Sequence, residues 1–231
     1  MSNNQKQGDF IMKKLLSLLC VIVSLTLFAL TGCSNNDTFT AKSYSSGESV
    51  VESVSIDVSD RQLNIGISDD EKVHIEYFDG EKEYFDISFS ENNELAVKLT
   101  FNKEWTDFIG TKAAAEYRKM TVKLPATVKT LSVSTTNEKV NIEPLTFANS
   151  VTVSNNGGNI EFEKMSVGKA VSLTTKNGDI KGSVNGGWDD FAITCTIKKG
   201  ESNLPAEKVG GDKSLNANCN NGDINIEFIK E

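Results

Sequence analysis

The 231-residue sequence is poor in the side chains from which most enzymatic and nucleic-acid-binding sites are built. It holds one histidine, His74, out of phase with Val73, Ile75 and Tyr77, which puts it on the wet face of an alternating strand. A lone imidazole there reads as a surface residue rather than a catalytic base. Arginine is scarce, no phosphate loop, nucleophile elbow or metal-ligand cluster stands out, and no pair of carboxylates has catalytic spacing. No catalytic residue, metal or cofactor is therefore expected. Acidic side chains outnumber basic ones, 32 to 24, which argues against nucleic acid as a partner. Proline is limited to three residues, so little interrupts a strand-rich chain.

Long hydrophobic runs are missing too, with one exception. Met12, Lys13 and Lys14 precede an apolar run from Leu15 to Leu30, closed by Thr31, Gly32 and Cys33. The run has 16 residues, short of the ~20 that span a hydrocarbon core. With the leucine three positions before the cysteine and small residues between, it resembles a bacterial lipoprotein signal peptide over residues 1–32. That resemblance implies a diacylglycerol on Cys33 and an extracytoplasmic protein anchored to a bacterial membrane by lipid. Removal of residues 1–32 leaves 21 basic and 31 acidic side chains, about ten net negative charges. Residues 33–47 are small and polar and read as a flexible leash, with ordered structure expected near Ser49 and one domain over residues 48–231.

Within that domain, Val54, Ile56 and Val58, then Leu63, Ile65 and Ile67, alternate as half-buried strands do. An antiparallel meander is expected next, with a hairpin at Asp79-Gly80 and a second turn at Glu91-Asn92-Asn93. Residues 102–118 lose the alternation. Their Trp105 and Phe108 either fold back over an open edge or act as exposed binding aromatics.

From Leu131 onward the sequence repeats. Leu131, Val133, Val140 and Ile142 recur twenty positions later as Val151, Val153, Ile160 and Phe162, and again as Val171, Leu173 and Ile180. No copy could bury its inward face alone, whereas stacked copies share one core. The fold class expected is all-β, a parallel β-helix or β-solenoid with coils of about 20 residues, preceded by the meander. An antiparallel sandwich is the alternative, but it does not require identical turn spacing. Asn-Gly pairs, such as Asn177-Gly178 and Asn221-Gly222, fall in one column and turn each corner. The column after it, Lys139, Asn159, Asp179 and Asp223, offers oxygens, but Lys139 interrupts the row and the calcium-binding nonapeptide is absent.

The fourth copy is irregular, as if two residues were added between Cys195 and Gly200. That placement stacks Cys219 over Cys195. A disulfide and two buried thiols are both compatible with it. Trp188 has no counterpart in the other copies and is a third aromatic that either contacts a ligand or covers the irregular corner.

The repeats with their recurring Asn-Gly-Asp-Ile, and the strands ending at Val122-Lys123-Leu124-Pro125, resemble the bacterial putative-adhesin domain family of unknown function, over about Val51 to Phe228. The resemblance implies a β-helical domain on a lipoprotein, and adhesion by name rather than by a mapped site. The function expected is a non-enzymatic, lipid-anchored cell-envelope module that binds an unidentified envelope protein or glycan. A sensor or modulator of a neighbouring membrane signalling protein is the alternative. A polysaccharide-cleaving β-helix is third, because it would need a cationic groove that this acidic chain lacks.

Overall fold

The computed structural model describes residues 38–102 and 112–230. Its strands are β1 (Thr40–Ser45), β2 (Ser53–Asp57), β3 (Gln62–Ile67), β4 (His74–Asp79), β5 (Glu83–Phe89), β6 (Glu94–Phe101), β7 (Lys119–Leu124), β8 (Thr130–Thr135) and β9 (Val140–Ile142). They continue with β10 (Thr146–Phe147), β11 (Ser150–Asn155), β12 (Ile160–Val167), β13 (Ala170–Asn177), β14 (Ile180–Asn185), β15 (Phe191–Lys199), β16 (Glu207–Lys208), β17 (Lys213–Asn221) and β18 (Ile224–Ile229). Two sheets face each other across one core. Sheet A runs β1-β4-β7-β3-β9-β12-β14-β18, with β10 attached to β12, and sheet B runs β16-β15-β17-β13-β11-β8-β2-β6-β5.

The twenty-residue repeat becomes register. Val151 lies between Leu131 and Val171, and Ile160 between Val140 and Ile180, all in parallel ladders. Every one of these side chains is buried, so each apolar position of the repeat becomes one rung of a continuous column. Column volumes are balanced across layers. Beside Phe162 sits Gly182, and a Cβ there would come within 2.2 Å of the Phe162 carbonyl oxygen and 2.6 Å of its ring.

Stacking order departs from chain order at both ends. The last coil, β17–β18, lies between β13–β14 and β15 rather than beyond them. At the other end β2–β3 lies between β8–β9 and β6–β7. Of the expected meander, β6 lies parallel to β2, whereas β4 and β5 keep antiparallel neighbours. The predicted hairpin at Asp79-Gly80 is a crossing between sheets instead: β4 pairs with β1 and β7 in sheet A, whereas β5 pairs with β6 in sheet B. Tyr77 and Phe85 both point into the core, and two inward faces are buried better by an arch than by a flat hairpin. The turn at Asn93, with φ 58°, does join an antiparallel pair.

Part of the segment expected to be a leash forms a strand. Residues 40–45 form β1, antiparallel to β4, with Tyr44 buried in the core and Phe39 stacked on Tyr117 at 4.9 Å. Two aromatics amid small polar residues were enough to dock the segment. The cysteine register also differs. Phe191 to Lys199 pairs with Lys213 to Asn221 at one constant offset, so nothing is inserted between Cys195 and Gly200. Cys195 lies beside Ala217, and Cys219 lies between Thr175 and Ile197; both thiols are buried and free. Strand spacing and rise put their Cα atoms about 8 Å apart, beyond the ~7 Å that a disulfide bridges. Cys33 and the segment 1–32, as well as Trp105 and Phe108, lie outside the described residues.

Candidate binding face and stacked corners

The outer face of sheet A carries a polar row across adjacent strands: Asn64, Asn141, Glu161, Lys181 and Asn225. Beside it a bulge in β12 breaks the ladder between Phe162 and Met165. Lys164 takes φ 42° there and donates its amide to Ser183 Oγ at 2.9 Å. Beside the bulge lies a shallow groove of about 550 Å³, lined among others by Glu161, Lys164, Lys181, Asn225 and Glu227. Two lysines are held by neighbours: Lys139 Nζ lies 2.5 Å from Glu161 and Lys181 Nζ 2.8 Å from Asp179. Carboxamides, carboxylates and ammonium groups alternate along this floor. Such a surface can exchange hydrogen bonds with an extended polar ligand.

The stacked corner precedes the polar row by two residues in each layer, and there the column of oxygens is committed. Asp179 N–H donates to Asn159 Oδ1, Asp223 N–H to Asp179 Oδ1, and Glu201 N–H to Asp223 Oδ1, each at 2.9 Å. Each side chain caps the amide of the next layer, so oxygen at this position serves the ladder rather than a metal. The backbone amide of Asp223, then the Lys181 ammonium, hold the Asp179 carboxyl below its ordinary range. Among the described residues no group of three or more His, Cys, Asp or Glu could hold a metal ion.

A second column runs just inside. Asn155 Nδ2 donates to Glu138 O at 2.7 Å, Thr175 Oγ1 to Gly158 O at 3.2 Å, and Cys219 Sγ to Gly178 O at 3.3 Å. Cys219 therefore occupies a hydrogen-bonding position of the corner, and burial pushes its thiol pKa up, with Asp179 adding to the effect.

Trp188 sits in a short 3₁₀ turn, Trp188–Asp190, and remains 41% exposed. Its ring packs edge-on against Phe228 at 5.1 Å, and Lys208 Nζ lies 5.7 Å above it. It covers the irregular corner and leaves one face open. It is not part of the sheet A groove. His74 is exposed and shares a 2.9 Å contact with Asp70, as a surface residue does.

The least legible cluster lies at the opposite end. Arg61 and Glu83 form a 2.6 Å ion pair with side chains 2% and 8% exposed, and the guanidinium lies 5.5 Å from the Phe85 ring centroid. Asp60 beside it takes φ 52° and accepts from Lys112 and Asn137 at 2.7 Å each. Burial pushes its pKa up, but these two hydrogen bonds and the nearby cations bring it below the ordinary value. The scarcity of arginine was the available signal: one of so few, set between strands, marks a specific partner.

Among solved structures, a putative cell adhesion protein from Clostridium sporogenes superimposes with a TM-score of 0.60 at 11% identity, covering 84% of this chain and all of that one. It shares the fold. A putative adhesin from Bacteroides fragilis gives a TM-score of 0.34 at 11% identity over 83% of this chain and 97% of its own. No curated protein matches. The model of the Toastrack DUF4097 family matches residues 51–231, which takes in every strand except β1, and the chain belongs to that family.

Proposed function

We propose that this protein is a non-enzymatic, lipid-anchored binding module of the bacterial cell envelope, presenting the outer face of sheet A to an envelope protein or glycan. The observation that carries the reading is the groove itself: an open, polar floor built on rigid stacked strands. Backbone ladders fix its side chains in register, so an extended ligand meets a preorganised row of donors and acceptors. The putative cell adhesion protein of the same fold supports a binding role, and the cysteine at position 33 supports the anchor.

A second reading, modulation of a neighbouring membrane protein, is favoured by tether length. Six residues separate Cys33 from Thr40 at the start of β1, and the seven steps span at most about 25 Å. A lipid on Cys33 would keep the domain within reach of proteins in the same membrane.

The test is crosslinking in intact cells with the wild type, Cys33→Ala, and a groove variant carrying Glu161→Ala and Lys181→Ala. A partner lost in the groove variant supports the binding face, and its chemistry decides between glycan and membrane protein. Identical partners in wild type and groove variant would overturn that face as the binding site. A protein that stays membrane-bound as Cys33→Ala would overturn the anchor.

A further inference from the structure

The two ends of the solenoid are complementary to each other. At one end, β5 is the outermost strand of sheet B, and its sequence, EYFDISF, carries neither the lysine nor the proline that commonly blunts an edge. Its first half is capped internally: Phe85 N–H donates to Asp79 Oδ1 at 2.9 Å and Gly80 N–H to Glu83 O at 2.8 Å. Because an antiparallel ladder alternates, Phe85 bonding outward means that Ile87 also directs its N–H and C=O away from β6. Among the described residues, nothing pairs with Ile87 on that side.

At the other end, β15 is covered by β16 only at Ile193 and Thr194. Cys195 N–H still reaches Ala206 O, at 2.9 Å. Two residues on, Ile197 has the same orientation and no partner on the outer side among the described residues. Ile87 and Ile197 are each partly buried against the end of the core, so each leaves an apolar layer incomplete.

We propose that these ends join: β5 of one copy adds antiparallel to β15 of the next, with Ile87 opposite Ile197, forming head-to-tail chains of this protein. Three features set that register. The unpaired amide and carbonyl of each isoleucine satisfy the other's, and the two apolar layers close against each other. On the outer face Asp86 then stands opposite Lys198, with both side chains exposed in the isolated chain. Ser88 falls opposite Thr196. The ends also step in opposite senses. Beyond the β6–β7 coil, sheet A continues for two strands, β4 and β1, and sheet B for one; beyond the β17–β18 coil, sheet B continues with β15, while sheet A has only the Ser202–Ile224 bridge. The longer sheet of each end therefore meets the shorter sheet of the other. Such a contact is heterologous and does not close on itself, so it propagates. It stands independently of what the groove binds.

The test uses two differently tagged full-length copies expressed in the same cells, one with Ser88→Cys and the other with Thr196→Cys. In the proposed register these positions form a non-hydrogen-bonded pair with Cα atoms about 4.5 Å apart, suited to a disulfide. The expected result on oxidation is a mixed-tag dimer, and a ladder of larger products when one chain carries both changes. Asp86→Lys should reduce the mixed product at least tenfold, and adding Lys198→Asp to the partner copy should restore it. That rescue separates a register contact from a folding defect. Absence of the mixed product overturns the proposal. So does a yield indifferent to the charge changes, or an equal dimer from Ser88→Cys alone, which would indicate two β5 edges pairing about a two-fold axis.

Discussion

Gly222→Ala isolates what holds the coils at their stacking distance. Gly222 stands in the corner column over Gly178, with φ 141°, and a Cβ there would lie 2.3 Å from Gly178 O and 2.7 Å from Gly178 C. Both are backbone atoms of the neighbouring layer, so no side chain can swing aside. Relief requires the layers to part by about 1 Å at a corner tied by the Asp179 ladder. Overpacking of this kind costs about 1–3 kcal/mol, and forcing alanine into left-handed space adds about 1–2 kcal/mol. A loss of about 3 kcal/mol is expected, which for a domain of this size lowers Tm by roughly 6–12 °C. Gly210 is the control, since it has φ 91° but nothing within 4 Å of a built Cβ. Gly210→Ala should lose only the conformational part, about 1 kcal/mol or roughly 2–4 °C. Gly187, without a positive φ and with its nearest neighbour 3.7 Å away, should tolerate alanine within ~0.5 kcal/mol. Thermal and urea unfolding followed by circular dichroism would rank the three, with an unchanged urea m value confirming that the folded state is compared. If Gly222→Ala were no worse than Gly210→Ala, the close approach of layers would not be what the column of glycines serves.

Other consequences are measurable in the same way. Glu83→Ala leaves the Arg61 guanidinium buried without its carboxylate and should cost about 3–5 kcal/mol, whereas Arg61→Met with Glu83→Leu should cost much less, giving a large coupling in a double-mutant cycle. Asp179 has a folded-state pKa below its unfolded value, so its contribution is present above the unfolded value near ~4 and is lost as pH falls through the folded one. Asp179→Asn keeps an oxygen for the Asp223 amide and should flatten the acid limb of the stability curve relative to wild type. Cys219→Ser keeps a donor for the corner carbonyl and should change stability by under ~1 kcal/mol, whereas Cys219→Val loses it and should cost about 1–2 kcal/mol. Thiol labelling with peptide mapping should find Cys195 and Cys219 unreactive in the folded protein and both reactive in denaturant, without prior reduction.

The repeat was legible because its cause is local and periodic. Leu131, Val151 and Val171 must share a column once any two layers stack, and the spacing alone carries that information. The corner asparagines and glycines were legible for the same reason, although the sequence suggested left-handed turns where Gly158 answers chiefly to contact: a Cβ there would lie 2.1 Å from Glu138 O. Trp188 could be singled out as lacking a counterpart, but its contact with Phe228 joins the turn before β15 to the last strand, and no spacing encodes that pairing.

The sequence by itself determined the strands beyond β1, their inward faces, the period and the polarity of the outer rows, since each follows from side-chain alternation and turn chemistry within a few residues. Tertiary structure alone decided the order of the layers. β17 could have followed β15 outward, and β2 could have begun the stack; both instead fill interior places, because parallel strands with equivalent apolar faces accept one another in more than one order. That choice moved Cys219 away from Cys195, brought Glu83 to Arg61, turned an expected hairpin into an arch, and left Ile87 and Ile197 at the two ends. Local patterns fix which face of a strand is buried. The neighbour it is buried against is settled by which arrangement closes the whole core.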